Sequence, residues 1–287
     1  MTEGGGEAAA RFIQLADRRV LAREDHAARL EAAGLDTLEA LLDVQGEVFK
    51  SNRRRRVVRI SLPGGERLFV KSHHAPPRPA WWRRVLGLPC PPPAAHEWSH
   101  LVALERLGIG TMTPVALAEE PGRGVGRRSA LVTAAIEDAE RVEDYLPRRF
   151  GGRDPPAEVR ARKRRLIADL AGMARRFHEA GFFHKDFYLG HFLVREAGAG
   201  FDLYLIDLQR AERRERPRSR WYVKDLAQML YTTPRPPVSR ADVLRFYRLY
   251  RGVERLGPAD RRLAARVLAK HRRLVRRVER KGPIRDW

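Results

Sequence analysis

The sequence predicts an α+β chain of two lobes, a small β-rich one followed by a mostly helical one. Three observations carry that expectation. Segments of period two and segments rich in β-branched residues cluster between residues 47 and 134, with a single helical pattern among them. A long apolar stripe of Leu166, Leu170, Met173 or Ala174, and Phe177 then marks a helix over 157–180. Beyond residue 221 the remaining segments read as helices. The expected divisions are a partly disordered N-terminal extension over 1–35, a first lobe over 36–135 and a helical second lobe over 136–287.

Taken in order, the Gly/Ala/Glu-rich residues 1–10 cannot bury an apolar face and read as disordered. The run DTLEALLD (36–43) predicts a short helix with Asp36 as its N-cap. Strands are expected at 47–50, 56–61 and 67–71, with Pro63-Gly64-Gly65 turning between the last two. A Pro-rich insertion over 73–93 contains one apolar, basic segment, Trp81–Leu88. A helix over 95–107 and strands at 114–118 and 128–134 complete the first lobe. Gly181 stands just past the long helix, where a glycine ends helices by adopting positive φ. Two short apolar strands, 191–195 and 202–207, follow the polar stretch FFHKDFYLGHFL.

Composition narrows the class. With 287 residues, 43% of them hydrophobic, the chain can bury a large core. No apolar run approaches the ~20 residues that cross a bilayer, and MTEGGGEAAARF lacks the basic and apolar regions of a signal peptide. The lone cysteine, Cys90, excludes an internal disulfide and a cysteine-based metal cluster. A cytoplasmic location is the expectation. Fifty-seven Lys and Arg against 36 Asp and Glu leave a net charge of +21, which calls for an anionic partner without choosing it.

The chemistry rests on an ordered set of residues. Phosphoryl transfer needs a cation on the nucleotide phosphates, acidic ligands for Mg²⁺ and a carboxylate that orients the attacking hydroxyl. Lys71 ends the strand RLFVK, and Glu97 lies early in the helix AAHEWSHLVALERL, placed to pair with it. Asp186 of His184-Lys185-Asp186 is the candidate catalytic carboxylate. His191 occupies the place of the Asn in the protein-kinase pattern HRDxxxxN, and Asp207 closes the strand DLYLID as the candidate Mg²⁺ ligand. Gly46 and Thr133 are further candidate nucleotide contacts, and ATP with Mg²⁺ are the expected cofactors. Taken singly, each has a plainer reading as a strand-end lysine, a solvated glutamate, a core histidine or a turn-capping aspartate. The order of the set is what points to a phosphotransferase of protein-kinase-like, two-lobed fold. The set lacks a GxGxxG loop, since QGEVFK offers only Gly46, and it has Asp-Leu-Gln where protein kinases have Asp-Phe-Gly.

From Gly46 to Arg251 the chain resembles the bacterial lipopolysaccharide core kinases, which phosphorylate heptose or Kdo sugars and have a protein-kinase-like fold. The resemblance rests on GEVFK, FVKSHH, HEWSHLVALERLGIGTMTP, HKDFYLGHFLV, LIDLQRA and WYVKDL. HKDFYLGHFL is the most specific, because the family likewise has His in the protein-kinase Asn position. The resemblance implies Asp186 as catalytic Asp, Lys71 as phosphate-contacting lysine with Glu97 as its partner, and Asp207 as Mg²⁺ ligand. It also implies Asp225 as the residue that braces the catalytic loop. Gln209 departs from an expected His, and Lys185 replaces the commoner Arg. His191 enters the metal and nucleotide set with two roles open, since Mg²⁺ prefers oxygen to imidazole nitrogen.

The resemblance implies a lipid-linked core saccharide as acceptor and an anionic inner-membrane surface as a peripheral partner. Trp81-Trp82-Arg83-Arg84 is the candidate membrane contact. Two rival readings stay open: a kinase of this fold acting on protein Ser/Thr/Tyr or a small-molecule hydroxyl, and a nucleic-acid-binding protein. The aromatic residues do not interleave with the basic runs 53–56, 213–220 and 272–281, so no nucleic acid is expected.

Overall fold

The computed structural model describes residues 10–74, 93–121, 127–152 and 154–281, which form two compact units. The first comprises residues up to Gly108 together with Met112–Ile136; the second comprises Ile109–Thr111 and everything from Glu137 onward. Cys90 and the Trp81–Arg84 segment lie outside the described residues.

The first unit is built on a seven-stranded antiparallel sheet. Its strands are β1 (Phe12–Gln14), β2 (Val20–Arg23), β3 (Glu47–Ser51), β4 (Arg55–Ser61), β5 (Arg67–His73), β6 (Pro114–Glu119) and β7 (Ser129–Ala134), in the spatial order β1-β2-β6-β7-β5-β4-β3. Helices α1 (Glu24–Ala32), α2 (Leu38–Asp43) and α3 (Pro93–Arg106) accompany it. Leu30, Leu38, Leu41, Leu42, Leu68, Val70 and Val132 belong to its hydrophobic core. The segment expected as an N-terminal extension therefore contributes, from residue 12 onward, two strands and a helix, with Val20 and Ala22 fully buried against β6. Helix α2 begins one residue later than expected. Thr37, not Asp36, is the cap, its hydroxyl accepting from Ala40 N at 3.2 Å, while Asp17 accepts from Leu38 N at 3.1 Å.

In the second unit a three-stranded sheet, order β11-β10-β8, is made by β8 (Glu140–Arg141), β10 (Phe192–Ala197) and β11 (Gly200–Leu205). A short ribbon pairs β9 (Phe182–Phe183) with β12 (Glu212–Arg213). The helices are α4 (Val142–Phe150), α5 (Ala157–Glu179), α6 (Ser219–Thr232), α7 (Arg240–Arg251) and α8 (Pro258–Lys281). The expected stripe of α5 is buried, and Phe177 at its end stacks on Phe182 and Phe187 with centroids 5.3 and 5.8 Å away. Gly181 adopts φ +84°, and a Cβ there would lie 2.3 Å from Arg214 O, so glycine is needed for both backbone and space.

Candidate active site

In the first unit Lys71 sits mid-sheet on β5, directly between Val57 of β4 and Leu131 of β7. Its Nζ donates to both carboxylate oxygens of Glu97, at 2.7 and 2.8 Å. Glu97 is completely buried on α3. A buried carboxylate needs a partner, and Lys71 supplies one while keeping 15% of its own side chain exposed. Thr133 is buried on β7 two residues from Leu131, so it shares the sheet face of Lys71.

Gly46 does not stand at a turn. It precedes β3, where a Cβ would come 2.4 Å from Arg59 O and 2.8 Å from Val58 Cγ1, so the missing side chain lets β3 approach β4. The β3–β4 turn lies at the far end of the strand. There Asn52 Oδ1 accepts from the amides of Arg54 and Arg55, both at 2.9 Å, with Arg53 and Arg54 exposed.

In the second unit the stretch His184–His191 is an irregular loop held from α6. Asp225, 1% exposed, accepts from His184 N at 2.7 Å and Lys185 N at 3.0 Å. Lys185 adopts φ +69°, a conformation a β-carbon disfavours and that Asp225 helps to hold. Gln228 and Thr232, further along α6, accept from the amides of Phe187 and Leu189. Phe187 is fully buried, which turns the neighbouring Asp186 outward. His184 Nε2 donates to Ile206 O at 3.1 Å, and burial holds the imidazole below its ordinary pKa, so it is a neutral strut.

Asp186 keeps 17% of its side chain exposed and accepts from Arg210 Nη1 with both oxygens, at 2.9 Å each. Its backbone carbonyl takes His191 Nδ1 at 2.7 Å. A carbonyl can only accept, so Nδ1 carries the hydrogen and Nε2 is the ring's remaining acceptor. Asp207 follows β11 with φ +58° and ψ 60°, another left-handed residue, and the amide of Ile206 before it donates to His191 O. Among the described residues no three His, Cys, Asp or Glu side chains converge to hold a metal.

Within each unit the sequence-predicted residues therefore come together: Lys71, Glu97 and Thr133 on one sheet, and Asp186, His191 and Asp207 around one loop. Sequence reasoning missed Arg210, although it stands three residues past Asp207 in LIDLQRA, and it missed the loop-capping Gln228 and Thr232.

The chain is similar to known proteins in sequence and fold. A family model described as the lipopolysaccharide kinase (Kdo/WaaP) family matches residues 39–250. The lipopolysaccharide core heptose(I) kinase WaaP of Escherichia coli is 32% identical over 222 residues, covering 76% of this chain and 82% of that protein. The protein of the same description from Pseudomonas aeruginosa is 30% identical over 262 residues, 88% of this chain and 94% of its own. A solved structure described as WaaP in complex with acyl carrier protein superposes with a TM-score of 0.70 at 28% identity, covering 93% of this chain and 99% of that one.

Proposed function

The chain belongs to the lipopolysaccharide kinase (Kdo/WaaP) family and phosphorylates a sugar hydroxyl of the lipopolysaccharide core, and from that premise we propose which residues carry out the transfer. ATP is the donor, and a core heptose, the sugar in the relatives' names, is the acceptor. The sugar oxygen forms a bond to the γ-phosphorus while the bond from that phosphorus to the departing ADP oxygen breaks. The hydroxyl proton passes to Asp186 and on to solvent. Asp186 orients the hydroxyl; Lys71, held by Glu97, neutralises nucleotide phosphate charge; Thr133 lines the nucleotide's surroundings on the same sheet face.

Asp207 suits Mg²⁺, because it offers hard carboxylate oxygen and the nucleotide phosphates would supply further oxygens. His191 offers nitrogen only and has already given Nδ1 to Asp186 O, so it fits a loop-fastening role better. When bound, the ion neutralises charge on the phosphoryl oxygens.

The observation that carries this reading is the bracing of the loop by Asp225, which presents Asp186 outward from a fixed backbone. Asp186→Asn tests it. Transfer from ATP to a dephosphorylated core saccharide should fall about 10²–10⁴-fold with ATP binding and fold retained. Turnover on a protein substrate instead would favour the rival acceptor class.

We also propose a cytoplasmic location with peripheral attachment to an anionic membrane face, supported by the charge of +21. No helix among the described residues is long and apolar enough to cross a membrane. An acyl carrier protein is a second proposed partner, as in the related solved structure. A cavity of about 390 Å³ within the second unit, lined by apolar residues including Ile167, Leu170, Met229, Phe246 and Val267, would suit its apolar cargo.

A further inference from the structure

We propose that Arg210 is a catalytic residue, the cation that leaves Asp186 to hold the transferring phosphoryl group. The inference rests on the reading of Asp186 given above and adds to it a group that takes the phosphoryl oxygens.

Four observations lead there. The Arg210 guanidinium spans both Asp186 oxygens with a single nitrogen, Nη1. Among the described residues its Nε and Nη2 make no other hydrogen bond, so three N–H donors stay available to a ligand. The side chain is 55% exposed against 17% for Asp186, so the pair is accessible from the arginine side. Its backbone is fixed all the same: Leu208 is buried, and Ala211 N donates to Leu208 O at 3.0 Å, closing a 3₁₀ turn directly after Asp207. The guanidinium can swing while its root stays beside the proposed metal ligand.

The other cations near Asp186 have bonding partners other than its carboxylate. Lys185 Nζ is hydrogen-bonded to Glu212, and Lys224 Nζ to Lys185 O. Two places past Asp186 stands Tyr188, whose hydroxyl accepts from Gln228 Nε2 at 2.9 Å; it brings no charge. Among the described residues Arg210 is therefore the cation that is bonded to the Asp186 carboxylate itself and still has donors to offer. An acceptor hydroxyl must hydrogen-bond to Asp186 before it attacks, and Nη1 now lies against both oxygens, leaving each a second lone pair. A hydroxyl that takes the place of Nη1 on either oxygen frees the guanidinium to turn. A planar guanidinium released a few ångströms from the attacking oxygen matches two oxygens of the phosphoryl group in a bidentate contact. In the balanced step, with the sugar oxygen–phosphorus bond forming and the bond to ADP breaking, the charge on those oxygens is what the guanidinium stabilises.

The experiment compares the parent full chain with Arg210→Gln and Arg210→Lys. It measures kcat and KM for ATP and core saccharide, thermal unfolding, and the affinities for ADP alone and for ADP with aluminium fluoride, which mimics the transferring group. The expected result for Arg210→Gln is a fall in kcat of at least 100-fold with both KM values within about threefold and unfolding unchanged, in line with the 10³–10⁵ effects of phosphoryl-holding arginines. Its affinity for ADP–aluminium fluoride should drop in step with kcat while ADP binds as before, and Arg210→Lys should fall between. A kcat within threefold of the parent overturns the proposal. So does a loss of kcat with ADP–aluminium fluoride affinity intact, because Arg210 would then act only by orienting Asp186. If Asp186→Asn retains full activity while Arg210→Gln loses it, the reading of Asp186 fails instead.

Discussion

Replacing Asp225 by alanine separates a braced catalytic loop from one that holds its own shape. The carboxylate is 1% exposed and takes two backbone amides, His184 N at 2.7 Å and Lys185 N at 3.0 Å. Alanine removes both acceptors. A hydrogen bond to a charged group contributes about 1.5–3 kcal/mol, so the pair sums to roughly 3–6 kcal/mol. Two effects trim that figure. The buried charge disappears along with its desolvation penalty, and Lys185 can leave φ +69°, a strained conformation of order 1–3 kcal/mol. The expected destabilisation is therefore about 3–5 kcal/mol, as for other broken buried charge networks. At ~2–4 °C per kcal/mol, thermal unfolding should shift down by roughly 6–20 °C. Asparagine should cause about half the loss, since its amide keeps one acceptor and turns a donor toward the other N–H. Urea unfolding gives the free energy, and transfer rates measured well below the transition should still fall at least about tenfold, because the relaxed loop no longer aims Asp186. If Asp225→Ala stays within about 1 kcal/mol of the parent at full rate, the loop is held by something else and the bracing argument is refuted.

Two further outcomes are expected elsewhere in the molecule. Gly46→Ala should cost about 1–3 kcal/mol through overpacking against Arg59 O and Val58 Cγ1 and leave the KM for ATP unchanged; a tenfold rise in KM at parental stability would instead make Gly46 a nucleotide contact. Burial beside Lys71 and Arg55 pushes His73 down to about 3, so the unfolded chain binds a proton that the folded chain refuses as the pH falls from about 6.5 toward 3. Stability from this group is full above pH 6.5 and declines through that window, by about 1.4 kcal/mol for each unit. Urea titrations of a His73→Leu variant should show a flatter acid limb; an unchanged limb would exclude His73 as the cause.

The parts of the fold that were legible in the sequence are those with a local signal. Helix α5 announces itself through Leu166, Leu170 and Phe177, and Gly181 marks its end because only glycine fits there. The Lys71–Glu97 pair was readable because a strand-end lysine and an early helix glutamate stood in the order phosphoryl transfer requires. Strands β1 and β2 were not, being three and four residues long and following a Gly/Ala/Glu tract. Helix α4 was hidden by Pro147 within it. Arg210 escaped for a different reason: its contact with Asp186 closes across 24 residues and two strands, so neither periodicity nor motif spacing reports it.

The three residues Ile109–Thr111 bear on how this chain can be cut and recombined. They precede β6 and β7 in sequence yet group with the second unit, where Leu205 N donates to Gly110 O at 2.9 Å and Thr111 Oγ1 donates to Leu205 O at 2.7 Å. A side chain at Gly110 would meet Leu203 O at 2.1 Å. Strand β11, which leads into Asp207, thus takes its outer partner from a tripeptide encoded upstream of the nominal border. A fragment beginning at Glu137, or a chimera joined there with an unmatched relative, would leave the end of β11 uncapped. Gene segments exchanged between such enzymes would be expected to keep 109–111 and 137 onward from one parent, so the heritable module is discontinuous in the gene although compact in space.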